Sequence, residues 1–250
     1  MMRRLLIISV TLLACACSGA QVKHYRPKVL QEYVHDASAY TQGLFFHQDT
    51  LYETTGQYSE SSLRKVDLQS GNPYSVHRFS SKYFIEGSVV LNDVLYILTW
   101  TNRVAFRYDA GSLSYIKTLS YPREGWGLTT DGRRLIASDG SAWLYFLDED
   151  MKVEKKLQVK LDGKPLRNLN ELEWIKGKIW ANVYLTDMIA IIDPDSGKVE
   201  ATLDCSNLLP AKLRTRETDV LNGIAADNKG NIYITGKNWP RMYRIELVKQ

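Results

Sequence analysis

Short apolar runs recur along the chain, and each is followed by a turn and by a strand that ends on a small or polar residue. Such runs, with Gly, Asn and Asp at the turns, are typical of antiparallel strands. The repeats begin 44, 40, 44 and 52 residues apart, at Gly43, Gly87, Gly127, Glu171 and Gly223. A period near forty built from short strands is typical of β-propeller blades. The pattern therefore predicts an all-β fold, a five-bladed β-propeller.

The two ends of the chain are expected to complete one blade together. Every repeat continues into a further strand that ends on an acidic residue, and four repeats then add a fourth strand, at residues 74–79, 115–119, 153–159 and 199–203. The fifth repeat has no fourth strand before Gln250. Residues 29–34 alternate as a strand, and we expect them to pair with residues 242–247 and close the ring. An open ring would leave two unpaired sheet edges, which natural sheets avoid.

The first seventeen residues have the pattern of an export signal. A basic start precedes a mostly apolar run over residues 5–14, which is too short to span a bilayer. The run ends in small residues and cysteine and resembles a bacterial lipobox. The Cys17-Ser-Gly start favours Cys17 as the lipidated residue, whereas Leu12 at position minus three favours Cys15. A plain cleaved leader is the alternative.

These features predict the domain organisation and the compartment. We expect a signal peptide over residues 1–17, a flexible tether over residues 18–27 and the propeller domain over residues 28–250. The protein is then exported to the periplasm or cell envelope and is tethered to a membrane only through its lipid. Without Arg3 and Arg4 the net charge falls from +4 to +2, and the basic residues form no run, so nucleic acid is not an expected partner.

Metal and cysteine chemistry find little support in the sequence. The four histidines have no ligand spacing, so zinc is not expected; they are His24, His35, His47 and His77. A structural calcium stays open, because carbonyl ligands leave little trace in a sequence. Cys205 is the one cysteine of the propeller region and has no neighbouring histidine, so we expect it to fill core space.

The repeat starts and the strands that follow them carry the candidate chemistry. Equivalent positions of a propeller cluster at one mouth of its channel, so these polar and aromatic residues are expected to meet around one carboxylate, Glu86. The candidates are Gln42, Glu86, Trp100, Trp126, Asn170, Tyr184 and Lys237. The alternative for the aromatic residues is packing between blades. Glu171 and Glu173 are interpreted as charges that belong either to this group or to a strand edge.

These residues stand within motifs of a known family. The chain resembles the plant and bacterial type of glutaminyl-peptide cyclotransferase, or glutaminyl cyclase, from about Tyr40 to the C-terminus. The matching segments include Tyr40-Thr-Gln-Gly-Leu, Glu86-Gly, Leu98-Thr-Trp, Glu124-Gly-Trp-Gly-Leu-Thr, Leu169-Asn-Glu-Leu-Glu, Asp219-Val-Leu-Asn-Gly and Thr235-Gly-Lys-Asn-Trp-Pro. The family is known as a five-bladed propeller, in agreement with the repeat count.

The resemblance implies a reaction and roles for the residues. N-terminal glutamine of peptides or proteins would be cyclised to pyroglutamate with release of ammonia, without a cofactor and by a monomer. Glu86 aligns with the essential glutamate of the family and would shuttle the proton, and Lys237 would stabilise the oxyanion or contact a substrate carbonyl. The remaining candidates would hold the substrate: the walls Trp100, Trp126 and Tyr184, and the polar contacts Gln42 and Asn170.

Two positions depart from the family pattern, and two other functions remain as alternatives. Tyr184 stands where the family usually has Trp, and Ile85 stands where a glycine often precedes the glutamate. Either change could alter the cavity. A non-catalytic, lipid-anchored propeller would bind peptides or glycans at the same channel mouth. A calcium-dependent hydrolase of the lactonase type would require a set of metal ligands that is not evident in the sequence.

Overall fold

The computed structural model describes residues 21–250. The leader, with Cys15 and Cys17, lies outside the described residues. Nearly all of the described secondary structure is β, and it forms five four-stranded antiparallel blades. The prediction of an all-β, five-bladed propeller is confirmed.

The strands follow the chain order from one blade to the next. Blade 1 is β2 (Thr41–His47), β3 (Thr50–Thr55), β4 (Ser62–Val66) and β5 (Pro73–Arg78); blade 2 is β6 (Ile85–Leu91), β7 (Val94–Thr99), β8 (Val104–Asp109) and β9 (Tyr115–Ser120). Blade 3 is β10 (Leu128–Thr130), β11 (Leu135–Ser138), β12 (Trp143–Leu147) and β13 (Val153–Gln158), and a short hairpin follows, β14 (Lys160–Leu161) and β15 (Lys164–Pro165). Blade 4 is β16 (Leu169–Ile175), β17 (Lys178–Val183), β18 (Met188–Ile192) and β19 (Val199–Asp204); blade 5 is β20 (Leu221–Ala226), β21 (Ile232–Gly236), β22 (Arg241–Lys249) and the first strand of the chain, β1 (Lys23–Val34).

The N-terminal strand β1 closes the ring. It runs antiparallel to β22, with Val29 opposite Ile245 and Tyr33 opposite Met242, which confirms the expected pairing. This strand supplies the outer edge that blade 5 lacks. The closure removes the two unpaired edges of an open ring.

The strand β1 also begins earlier than the sequence predicted. Residues 23–27, expected to belong to a flexible tether, are part of the sheet, so that boundary is wrong. Lys23 lies opposite Ala201 in a parallel pairing with β19, which joins blades 4 and 5 into one sheet. Two contacts hold this start: Val22 is buried in the apolar core beside blade 4, and His24 Nδ1 lies 2.9 Å from Thr202 Oγ1.

Adjacent inner strands approach each other closely at the repeat starts. A Cβ atom on Gly87 would lie 2.5 Å from the backbone nitrogen of Leu128, and one on Gly127 would lie 2.0 Å from the carbonyl oxygen of Asn170. Real Cβ atoms do not tolerate such distances, so only glycine fits. The Gly87 N–H donates to the Trp126 carbonyl at 2.7 Å. The repeated glycine therefore reflects how closely the blades pack around the channel.

Glu171 takes the place of that glycine in blade 4 and links three inner strands. One carboxylate oxygen accepts the Leu44 N–H of blade 1 at 3.3 Å, and the other accepts the Ile224 N–H of blade 5 at 2.9 Å. Glu173 accepts the Ala226 N–H at 3.0 Å. Both side chains are buried, so the interpretation as strand-edge charges is wrong. Burial, together with the nearby Glu173, raises the pKa of Glu171 well above its usual value.

Replacing Glu171 with alanine is expected to destabilise the fold strongly. The change leaves the buried N–H groups of Leu44 and Ile224 without their acceptors, at about 1–3 kcal/mol for each. We expect the free energy of unfolding to fall by roughly 3 kcal/mol in urea denaturation. Glu171→Gln keeps one acceptor oxygen and should lose less. Equal stability of Glu171→Ala and wild type would contradict the linking role.

The core between the blades is apolar, and it includes the free thiol. Cys205 is buried with Leu208, Leu209 and Trp239, and burial raises the pKa of its thiol far above the ordinary range. A thiol held protonated in this way is a poor nucleophile. The environment therefore agrees with the expected core-filling role. Within residues 21–250, no helix is long and apolar enough to cross a membrane.

Candidate active site

One cavity of about 210 Å³ brings together every candidate residue of the sequence analysis. Two further aromatic residues, Tyr40 and Phe84, complete its wall. The candidates that line it are Gln42, Glu86, Trp100, Trp126, Asn170, Tyr184 and Lys237. The three candidate aromatic residues thus face a cavity as well as packing against their neighbours.

Irregular pairing aims the polar side chains into the cavity. The inner strands of four blades share a register shift where they pair with the second strand, between Thr41 and Gly43, Ile85 and Ser88, Leu169 and Leu172, and Leu221 and Ile224. Gln42, Glu86 and Asn170 lie within three of these shifts. A β-bulge changes the direction of a side chain and is frequent beside active sites. The same irregularity therefore positions polar groups from separate blades.

Glu86 is a buried carboxyl group on β6. Its side chain is 5% exposed, and its pKa lies well above the usual value because burial disfavours the charged form. The positive charge of Lys237 opposes this shift, and the negative charge of Glu124 adds to it. The preceding Ile85 is fully buried, and its N–H donates to Ser61 Oγ at 3.0 Å. Ile85 thus does not turn Glu86 away from the cavity.

Lys237 is the buried cation of the cavity, with 3% exposure. Its Nζ lies 4.7 Å from the centre of the Tyr40 ring and 5.1 Å from that of Tyr184, distances typical of cation–π contacts. Burial lowers its pKa, against the opposing effects of Glu86 and Asp219. Two backbone hydrogen bonds to Asp219 and Val220 hold the segment in place. The ammonium group therefore contacts two aromatic rings and lines the same cavity as the carboxyl group of Glu86.

Glu124 fixes two of the aromatic walls. Its Oε2 accepts the indole N–H of Trp100 at 3.0 Å and that of Trp126 at 3.2 Å. Trp126 also meets Tyr184 edge to face at 5.5 Å between ring centres. Sequence reasoning missed this role, although the motif Glu124-Gly-Trp126 was visible, because the contact with Trp100 reaches back 24 residues to the end of a strand of blade 2. Tyr40, which stands in the motif Tyr40-Thr-Gln, and Phe84, two residues before Glu86, likewise belong to the site without having been predicted there.

Replacing Glu124 with alanine is expected to raise the KM about tenfold with a smaller effect on kcat. Without the shared acceptor, Trp100 and Trp126 lose the hydrogen bonds that orient them at the cavity wall. Glu124→Gln keeps an acceptor oxygen and should restore most of the KM. Its lost charge should still lower the pKa of Glu86, because Glu124 raises it. Steady-state kinetics over pH would test both effects, and an unchanged KM in Glu124→Ala would refute the positioning role.

The side-chain amides of Gln42 and Asn170 differ in their hydrogen bonding. Gln42 Oε1 accepts a hydrogen bond from Asn222 Nδ2 at 3.4 Å, and the same Nδ2 donates to the Thr41 carbonyl at 2.9 Å. Because the oxygen of this amide is engaged by Asn222, the Gln42 nitrogen is the atom that can donate to a ligand in the cavity. Asn170 Oδ1 is buried and has no hydrogen-bond partner among residues 21–250. A buried acceptor of this kind at a cavity wall suits a ligand donor.

The described residues contain no group of three or more His, Cys, Asp or Glu side chains that could hold a metal ion. His35 instead belongs to a buried polar network outside the cavity: its Nε2 lies 2.9 Å from Glu53 Oε1 and its Nδ1 lies 2.6 Å from the Trp239 carbonyl oxygen. Glu53 also accepts the Thr41 hydroxyl at 2.7 Å. This network ties the start of blade 1 to the segment that carries Lys237.

The fold and the cavity together define a class of protein. A five-bladed propeller whose inner strands enclose a buried carboxyl group, a buried ammonium group and aromatic walls can transfer a proton and stabilise negative charge. No Ser, Thr or Cys is among the described residues that line the cavity. Such a cavity suits a reaction in which the substrate supplies its own nucleophile.

Comparisons with known proteins place the chain more narrowly. Residues 4–247 match the family model described as glutamine cyclotransferase. A glutaminyl-peptide cyclotransferase of Arabidopsis thaliana is 42% identical over 226 residues, covering 88% of this chain and 71% of the relative. The crystal structure of Myxococcus xanthus glutaminyl cyclase superposes with a TM-score of 0.86 at 33% identity, covering 92% of this chain and all of that one. The chain belongs to the glutamine cyclotransferase family, which confirms the resemblance and the expectation of an enzyme.

Proposed function

We propose that the protein converts the N-terminal glutamine of peptides and proteins to pyroglutamate and releases ammonia. Family membership supports the reaction, and one observation carries its assignment to this cavity: Glu86 and Lys237 are both buried, line the same cavity with the aromatic residues, and influence each other's pKa. A non-catalytic binding propeller is less favoured. Burying two ionisable groups costs free energy of folding. A pocket that only binds a ligand through apolar contacts would not need these two groups.

The reaction needs a folded substrate and a mobile proton. The α-amine attacks the γ-carboxamide carbon of the same residue, a C–N bond forms, and the original C–N bond to the amide nitrogen breaks. The α-amino group has an ordinary pKa of roughly 7.7–8.0, so part of it is already the neutral, nucleophilic amine near neutrality. As this amine forms the new C–N bond its nitrogen gives up one proton; Glu86 takes that proton and delivers it to the departing amide nitrogen, which leaves as ammonia. A raised pKa suits a group that must hold a proton between these two steps.

The remaining side chains hold the substrate in a reactive shape. Trp100, Trp126 and Tyr184 confine the glutamine side chain against its own amine, and ring closure gains much of its rate from such positioning. Asn170 Oδ1 accepts from the carboxamide nitrogen, and the Gln42 amide donates to a substrate carbonyl. Lys237 stabilises the oxyanion of the tetrahedral intermediate. Tyr184 contacts both Lys237 and Trp126 and so serves as a wall in place of the usual Trp.

The first residues of the chain support a cellular location. We propose that the protein is exported to the periplasm or cell envelope as a monomer and is anchored through a lipid on Cys17 or Cys15. The basic start, the apolar run and the lipobox-like end support this location. Membrane fractionation of Cys15→Ser and Cys17→Ser variants would identify the anchoring residue, and retention of both in the membrane fraction would contradict a lipid anchor.

Ammonia release from a short peptide with N-terminal glutamine tests the function. Wild-type protein should release ammonia and leave a pyroglutamyl peptide in the mass spectrum. The same peptide acetylated at its α-amine should remain unchanged, because its nucleophile is blocked. Turnover should survive a chelator; its loss would favour a calcium-dependent enzyme. No turnover by folded protein would favour the binding propeller.

A further inference from the structure

The active-site cavity has room for one residue of a substrate. Its volume of about 210 Å³ lies below the roughly 300–1,000 Å³ of pockets that enclose drug-sized ligands, so it suits one side chain of a substrate better than several residues. If the protein acts on peptides as proposed, the second and third residues must therefore lie on the surface outside the cavity.

A polar groove of about 510 Å³ begins at the cavity wall. The Tyr40 side chain lines both spaces. The Tyr40 hydroxyl donates to Oδ2 of Asp219, which lines the groove, at 3.0 Å. The Nζ atom of Lys237, which lines the cavity, lies 4.7 Å from the centre of the Tyr40 ring. The cavity and the groove therefore adjoin at Tyr40.

The longest repeat of the sequence supplies one wall of this groove. The repeat from Glu171 to Gly223 spans 52 residues, against 40 to 44 for the others. Part of this repeat is the connection between β19 and β20, over residues 205–220, which contains the short 3₁₀ turn Ala211–Leu213. Residues 216–219 of the connection line the groove together with Gln57 and Glu60 of blade 1. The long connection thus builds a surface beside the site.

Most of the charged side chains that line the groove are acidic. Three carboxyl groups line it, Glu60, Glu217 and Asp219, against one guanidinium group, Arg216. Arg214 of the same connection packs over the Trp239 ring and does not line the groove. We infer that the groove receives the second and third residues of the substrate and favours basic side chains there. This inference rests on the proposed function.

Three peptide amides test the preference: Gln-Lys-Ala, Gln-Ala-Ala and Gln-Glu-Ala. At low salt we expect kcat/KM for the lysine peptide to exceed that for the alanine peptide about two- to fivefold, with the glutamate peptide lowest. Added salt should shrink the differences, because exposed charges are screened. The double variant Glu60→Lys/Glu217→Lys should reverse the order of the lysine and glutamate peptides.

A control variant separates the groove from overall charge. Glu154→Lys/Asp195→Lys makes the same change in net charge at exposed positions on blades 3 and 4, and it should keep the wild-type order. Equal kcat/KM for all three peptides, or a lysine preference that persists in Glu60→Lys/Glu217→Lys, would overturn the groove assignment while leaving the cyclase function standing. No turnover of any peptide would overturn the proposed function and the groove with it.

Discussion

Replacing Glu86 with glutamine is expected to lower kcat about 10²- to 10⁴-fold, the usual contribution of a general acid–base group. Glutamine has nearly the same shape as the protonated carboxyl group, so the cavity should keep its walls and the KM should change little. It cannot take the proton of the α-amine, and the leaving nitrogen then departs without a proton donor. Ammonia release under saturating peptide would measure the loss.

A matched control exists in the same channel. Glu173 is also a buried carboxyl group, its pKa is raised to about 8 by burial, and it lies on an inner strand without lining the active-site cavity. Glu173→Gln should therefore retain the wild-type kcat. If Glu86→Gln turned over as fast as Glu173→Gln, with both folded, Glu86 would not be the proton shuttle.

The pH dependence of kcat/KM gives a second readout of the same experiment. Glu86 must begin as a carboxylate to accept the proton, so activity should fall as the pH drops through its pKa. Because burial and Glu124 raise that pKa, the acid limb should lie well above the ordinary glutamate range. In Glu86→Gln the residual activity should follow the titration of the substrate amine alone.

Most of the fold could be predicted from the sequence because a propeller repeats its pattern. Equivalent positions recur with the period of the blades, so Glu86, Trp126 and Asn170 could be placed at one site before their contacts were known. The same logic predicted ring closure by the N-terminal strand. A repeat shows where each residue lies along its blade. The equivalent places of the seven candidates in their blades were enough to predict that they meet at one mouth of the channel.

Contacts between different blades could not be predicted in this way. The Trp100 indole N–H of blade 2 donates to Glu124 in the connection that leads into blade 3, and the Leu44 N–H of blade 1 donates to Glu171 of blade 4. The register shifts that aim Gln42 and Asn170 depend on the pairing partner as much as on the strand itself. The early start of β1 at Lys23 likewise depends on a parallel partner in blade 4. Each of these features is decided by tertiary packing, which overrides local pattern.

Replacing Lys237 with methionine is expected to lower kcat about 10²- to 10³-fold, the usual cost of losing one group that stabilises an oxyanion. Methionine fills similar space in a position that is 3% exposed, so the fold should survive. The lost positive charge should also raise the pKa of Glu86 further, because Lys237 lowers it. The acid limb of kcat/KM should therefore move to higher pH, opposite in direction to the shift in Glu124→Gln.

The balance between kcat and KM decides what Lys237 does. An oxyanion forms only in the reaction, so loss of its partner lowers kcat and leaves the KM nearly unchanged. A contact with a carbonyl of the bound peptide would instead raise the KM at nearly constant kcat. Lys237→Arg keeps the charge but enlarges the group between Tyr40 and Tyr184, so it should preserve the pKa of Glu86 without restoring kcat. Wild-type kinetics in folded Lys237→Met would remove Lys237 from the mechanism and leave Glu86 to act with the aromatic walls alone.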